Sequence, residues 1–307
     1  MSSKILIAVV GPTAIGKTKL GIDLAKHFQT EIISADSRQF FKEMNIGTAV
    51  PSTEELNTVT HHFIQHKSIS EPYSVGDFEK DAIELLDILF QKQDVVVMVG
   101  GSGLYVDAVV HGLDEFPKVD SKLRESLNQK FKEEGLSYLQ EELRSRDLEY
   151  YNIVDIENPH RLIRALEVCI ATNQPFSSFL NQKKKERTFN TLYIGIEADR
   201  EVIYDRINLR VDLMMEADLL EEAKKLYPHR NLNALQTVGY RELFEYLEGN
   251  FTLDFAISEI KKNTRRFAKR QLTWLRKNQN ILWVKHDENM DEILKKITHH
   301  LETDNNG

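Results

Sequence analysis

The chain has 307 residues, 41% hydrophobic and 29% charged, a balance that suits a globular protein with a full core and excludes a disordered chain. Its apolar runs fall short of the ~18–20 residues that cross a bilayer, and its single cysteine, Cys169, excludes an intramolecular disulfide and a multi-cysteine zinc module, so no membrane role and a cytoplasmic location are expected. The net charge of −8 argues against a polyanionic partner until its distribution is read: residues 260–280 hold eight Lys/Arg and no Asp/Glu.

Ile5 to Val10 is an unbroken aliphatic run, the pattern of a strand buried on both faces of a parallel sheet. It leads straight into a Gly-rich segment with no small-residue cleavage site, which is not the layout of a signal peptide. Leu20, Ile22, Leu24, Ala25 and Phe28 predict a helix over 17–28, and 31–34 a second strand ending at Asp36. Phe78, Ala82, Leu85, Leu86 and Leu89 share one face of a helix predicted over 77–91. Residues 94–99 read as a third buried strand, closed by Gly100-Gly101-Ser102-Gly103. This alternation predicts an α/β fold around a parallel sheet.

After residue 114 the pattern becomes helical, over 118–144 and again from Asn158-Pro159-His160 to Thr172. Strand signals return at 191–196 and 281–284. The reading is an α/β core over 1–114 and 190–290, a helical insertion over 115–189, and a C-terminal helix with a tail frayed from Glu302 over 291–307. Lys183-Lys184-Lys185-Glu186-Arg187 is a second basic cluster.

Gly11-Pro12-Thr13-Ala14-Ile15-Gly16-Lys17-Thr18 has the form G-x-x-x-x-G-K-[ST], set after a buried strand and before a helix, which makes the parallel-sheet core P-loop NTPase-like. Its backbone N–H groups and the helix N-terminus favour a phosphate, Lys17 reaches the terminal phosphates, and the Thr18 hydroxyl can ligand Mg²⁺. Both ATP and the diphosphate of a prenyl donor fit that cradle. Asp36, at the tip of the second strand, faces the same place as a metal ligand or a general base. The third strand ends in glycines and Ser102, with no carboxylate of the kind a kinase often has there. His61 and His62 are adjacent in sequence, which does not suit one metal ion. Cys169 lies on an apolar helix face, as a core residue would.

The ordered set of motifs resembles the bacterial tRNA dimethylallyltransferases. It comprises the P-loop, Asp36-Ser37-Arg38-Gln39, Asn45-Ile-Gly-Thr-Ala49, His61-His62 and Gly100-Gly-Ser-Gly-Leu-Tyr105. Asn158-Pro-His-Arg-Leu-Ile-Arg-Ala-Leu-Glu167, Gln236-Thr-Val-Gly-Tyr-Arg-Glu242 and Lys269-Arg-Gln-Leu-Thr-Trp274 complete it. The chain departs from that pattern at Phe41, Asn45, Val50, Ser102 and Asp218.

The resemblance implies transfer of a dimethylallyl group from its diphosphate to N6 of adenosine 37, in the anticodon stem-loop of tRNA, by a monomer using Mg²⁺. It implies that Asp36 takes the proton, that Ser102 holds the adenine or its amine, and that Lys17, Arg210 and the P-loop stabilise the leaving diphosphate. It places tRNA on Asp36, Ser37, Arg38 and Gln39, the last suited by its amide to read adenine's edge. His160, Arg161, Leu162, Ile163 and Arg164 are also expected to meet tRNA. So are Arg265, Arg266, Lys269 and Arg270 of the basic stretch, with Phe267 and Trp274 left for the core. A P-loop small-molecule kinase and an RNA-binding P-loop ATPase are the alternatives that the phosphate motif alone permits.

Overall fold

The computed structural model describes residues 4–180 and 186–304. Among them, six strands form one parallel sheet: β1 (Ile5–Val10), β2 (Ile32–Ser34), β3 (His61–His62), β4 (Val95–Gly100), β5 (Asn190–Glu197) and β6 (Ile281–Lys285). Their order is β3-β2-β4-β1-β5-β6. The strand predicted third is thus the fourth, because the two-residue β3, too short to show alternation, pairs with β2 at Ile32–His61 and Ile33–His62.

The chain divides into two compact units, Met1–Val110 with Arg187–Gly307, and His111–Glu186. These limits fall a few residues before 115 and 189, where the sequence pattern changes.

In the first unit, alternate strand residues separate two cores, as a pleated sheet covered on both faces requires. Leu6, Ala8 and Val10 of β1 join Ile33, Val96 and Met98, whereas Ile7 and Val9 join Ile32, Val97 and Ile194. The helices of this unit are α1 (Lys17–His27), α2 (Thr53–Thr58), α3 (Val75–Leu89) and α4 (Gly103–His111) before the second unit. After it come α8 (Arg200–Glu216), α9 (Leu219–Leu226), α10 (Tyr240–Leu247), α11 (Leu253–Leu275) and α12 (Met290–Asp304). Helix α3 starts two residues before its predicted start because Ser74 and Asp77 form a reciprocal capping box. The turn between α8 and α9 passes through Asp218 at φ 70°, a left-handed position that Asp tolerates through its short polar side chain. The C-terminal helix runs to Asp304, so Glu302 to Asp304, expected to fray, are helical; residues 305–307 lie outside the described part.

The second unit holds α5 (Ser121–Arg146), α6 (Leu148–Tyr151) and α7 (Pro159–Thr172) around a core of Leu127, Leu139, Leu143, Leu162, Leu166 and Cys169. Gly135, at φ 80°, breaks α5 into two segments. Asn158 caps α7 by accepting from Arg161 N–H, and Pro159 takes the first position, where its missing N–H costs nothing. Buried Glu167 carries ion pairs to Arg124 and Arg164. No helix of the described residues is long and apolar enough to cross a membrane.

Candidate active site

Strand β1 delivers its C-terminal end between β4 and β5, and the P-loop that follows turns through Ala14 at φ 65° and Gly16 at φ 112° before α1 begins at Lys17. Glycine relieves the second of these left-handed positions, and the loop faces its amides to the space ahead of α1. Lys17 Nζ donates to Pro12 O at 2.8 Å. Burial lowers its pKa to about 8, with Asp36 opposing the shift and the Arg210 cation adding to it. Arg210 comes from α8, and its own pKa is lowered, first by burial and then by Arg206.

Two cavities meet here. The smaller surrounds the P-loop from Thr13 to Thr18; the larger, of about 530 Å³, is lined by Ser102, Arg38, Arg241 and Arg270 and by apolar groups including Met214, Val238, Ile260 and Phe267. Thr13, Asp36, Thr48, Ala49, Gly101 and Arg210 line both. Asp36 is the one carboxylate among the described residues lining either cavity. Its Oδ1 accepts from Arg38 N–H at 3.1 Å, which fixes the carboxylate beside β2. Ser102 Oγ accepts from Ser37 N–H at 3.3 Å and lies 3.2 Å from Ser37 Oγ, so the two hydroxyls form a pair next to Asp36. Gly100 permits this closeness: a Cβ there would lie 2.7 Å from Ala35.

Gln271 has a part in the site that its sequence motif does not reveal. It is buried on α11, its Oε1 accepts from Thr13 N–H at 2.8 Å, and its Nε2 donates to Gly101 O at 2.8 Å. A signal for it does exist: a polar residue on the inward face of a helix, between Ala268 and Leu275, must find partners when buried. Glu222 of α9 and Tyr240 of α10, which hold the loop at 45–47, leave no comparable signal, since nothing in spacing joins three distant segments.

Several expected roles change. Gln39 donates through Nε2 to Thr48 O at 3.2 Å and Ala49 O at 2.9 Å, so its N–H groups hold that loop rather than an adenine edge. Arg38 donates to the carbonyls of Asn233 and Ala234 at 3.0 and 2.9 Å. Leu162 and Ile163, 0% and 4% exposed, belong to the core of the second unit and cannot touch RNA, because the 3.6-residue period turns them inward. Arg164 pairs with Glu167 and lies over the Phe116 ring. His160 and Arg161 stand exposed in the first turn of α7. On α11, Arg266, Lys269 and Arg270 are exposed, whereas Arg265 donates to Asn208 Oδ1 at 2.6 Å and lies over Tyr204. Phe267, expected in the core, is 39% exposed; Trp274 does pack inward, with its indole N–H on Asp107. In the short basic cluster, Lys183 to Lys185 lie outside the described residues and Arg187 is paired with Glu79. His61 Nδ1 is 2.8 Å from Val59 O, whereas His62 pairs with Glu31, so the two rings do not converge on one ion. Among the described residues no three His, Cys, Asp or Glu side chains cluster as a metal site.

Known proteins resemble this chain in sequence and fold. A family model described as IPP transferase matches residues 39–278. A tRNA dimethylallyltransferase of Christiangramia forsetii is 62% identical over 98% of this chain and 100% of its own length. One of Flavobacterium johnsoniae is 56% identical over 98% and 99%. The crystal structure of a tRNA isopentenylpyrophosphate transferase from Bacillus halodurans matches with a TM-score of 0.72 at 39% identity, covering 98% of this chain and 96% of that one. With its P-loop, its shared carboxylate and this full-length similarity, the chain belongs to the IPP transferase family, that of the tRNA dimethylallyltransferases.

Proposed function

We propose that this protein transfers the dimethylallyl group of dimethylallyl diphosphate to N6 of adenosine 37 of tRNA, beside the anticodon, and releases diphosphate. The observation that carries the reading is Asp36, the carboxylate common to a phosphate cradle and to a larger, partly apolar cavity. The smaller cavity takes the diphosphate, and the larger takes the prenyl chain and the extruded base. A stacked adenosine cannot enter a recess, so it leaves the stack at a cost of a few kcal/mol.

The N6 lone pair attacks C1 of the allyl group, the C1–O bond breaks, and its electron pair departs on the diphosphate. Asp36 accepts the proton that N6 loses. The P-loop, Lys17 and Arg210 line the smaller cavity and would stabilise the oxygens on which charge accumulates. The Ser102 hydroxyl, paired with that of Ser37, would hold the adenine. Thr18 would hold Mg²⁺; one hydroxyl together with donor phosphate oxygens and waters suits an ion that dehydrates reluctantly, and when bound it neutralises leaving-group charge. Arg266, Lys269 and Arg270 on α11, and His160 and Arg161 at the N-terminus of α7, are the cations offered to the RNA backbone. Phe267, 39% exposed with the Arg270 guanidinium 5.7 Å from its ring centre, offers an aromatic ring to a base.

The test is incubation with dimethylallyl diphosphate labelled in the prenyl group and an unmodified anticodon stem-loop. Label at N6 of the target adenosine supports the reading. Transfer of the ATP γ-phosphate with no prenyl label in RNA would overturn it in favour of a kinase.

A further inference from the structure

The loop at 45–50 has no regular structure, yet Thr48 and Ala49 form wall common to both cavities. Such a segment keeps one shape only if its backbone groups are held. A single carboxylate holds three of them in succession. Glu222 Oε2 accepts from Asn45 N–H at 3.1 Å and Ile46 N–H at 2.8 Å, and Oε1 accepts from Gly47 N–H at 2.9 Å. The Tyr240 hydroxyl donates to Oε1 at 2.6 Å. Tyr240 is fully buried, and burial raises its pKa, keeping the phenol protonated as a donor. Gly47 lies flat on its ring, since a Cβ there would come within 2.5 Å of it. From the other side Gln39 grips the carbonyls of Thr48 and Ala49.

Glu222 sits on α9, directly after α8. Helix α8 sends Arg206 Nε to Ala14 O of the P-loop at 2.8 Å and Arg210 into the cavities. One helical arm therefore touches the P-loop, supplies one of the chamber's cations and holds a loop that walls it.

We infer that Glu222, with Tyr240, is a positioning residue that sets the width of the donor chamber by clamping the loop at 45–47. The inference rests on the reading of that chamber as the dimethylallyl diphosphate site. Four charge-assisted hydrogen bonds to one carboxylate are stronger and shorter than neutral ones, and removing them frees the wall on one side. The donor is affected first, because the exposed cations of α11 take no part in these bonds.

The test compares Glu222→Ala, Glu222→Gln and Tyr240→Phe with the wild type in the full chain, using labelled dimethylallyl diphosphate and the anticodon stem-loop. Glu222→Ala should raise the donor KM on the order of 10-fold with a smaller change in kcat and unchanged stem-loop affinity. Glu222→Gln and Tyr240→Phe should fall between. Hydrogen exchange should quicken at the amides of Asn45 to Gly47 and not in the P-loop. Faster exchange there with an unchanged donor KM, or loss in kcat alone, would overturn the inference. If Glu222→Ala fails to fold, normal donor KM in both milder variants would overturn it. A wild type that puts no label into RNA would instead sink the underlying reading, which separates the two failures.

Discussion

Gln271 and Thr13 lie 258 residues apart in the chain, and the Gln271 side-chain oxygen accepts the Thr13 backbone N–H at 2.8 Å. The other end of the same amide donates to Gly101 O, so a C-terminal helix ties the P-loop to the tip of β4. Gly101 is required for it: a Cβ there would lie 2.5 Å from Gln271 Nε2. A side-chain amide donates at one end and accepts at the other, as these two bonds require.

Gln271→Ala should therefore abandon two backbone groups together, at about 1–3 kcal/mol for each that stays buried. Thermal unfolding should fall accordingly, and misplacement of the P-loop should lower donor kcat/KM by roughly 10²-fold. Gln271→Glu should not rescue, since its carboxylate keeps the bond to Thr13 and turns an acceptor toward Gly101 O. A Glu variant with wild-type stability and rate would contradict the role given to the clamp.

Lys17 predicts a pH profile. Its pKa of about 8 means that the free enzyme carries the ammonium below that pH and loses it above. Donor kcat/KM, which reports the free enzyme, should decline as pH rises through about 8, while kcat holds to higher pH because the bound diphosphate favours the charged form. In Lys17→Arg the alkaline decline should vanish, since guanidinium does not titrate there.

Asp36→Asn preserves shape and removes the base. Single-turnover rates should fall by ~10²–10⁴, the range of general-base effects, with tRNA affinity retained. A near-normal rate would leave the proton without an acceptor in this site.

The core of this design is legible in the sequence because it is local. The P-loop, the strand before it and the helix after it need only adjacent residues, and Asp36 follows from the rule that ligands meet parallel sheets at strand ends. What spacing conceals is what long-range packing decides. Leu162 and Ile163 sit inside a motif that reads as RNA-binding, yet the helix period turns them inward. Gln39 has an amide suited to reading a base, but Thr48 and Ala49 occupy its N–H groups. Phe267 looks like core in a charged stretch, and only the packing of α11, which turns Ala268 and Gln271 inward, leaves its ring 39% exposed.

Helix α11 allows electrostatics to be separated from stacking and from stability within one helix. Arg266, Lys269 and Arg270 are exposed, and reversing all three to Glu should weaken stem-loop binding and flatten its salt dependence, by about 0.7–0.9 in slope for each RNA phosphate no longer neutralised. Phe267→Ala carries no charge change. It should lower affinity by ~1–3 kcal/mol if the ring stacks on a base, with the slope unaltered. Phe267→Tyr should restore affinity, because it keeps the ring. Arg265 provides the internal control: its guanidinium is committed to Asn208 and Tyr204, so Arg265→Gln should lower thermal stability while leaving the slope intact. Stem-loop affinity measured over a salt series for these variants, beside their melting curves, distinguishes the three roles. A slope unchanged in the triple reversal would move the RNA backbone off α11, and His160 and Arg161 on α7 would then be the cations to reverse next.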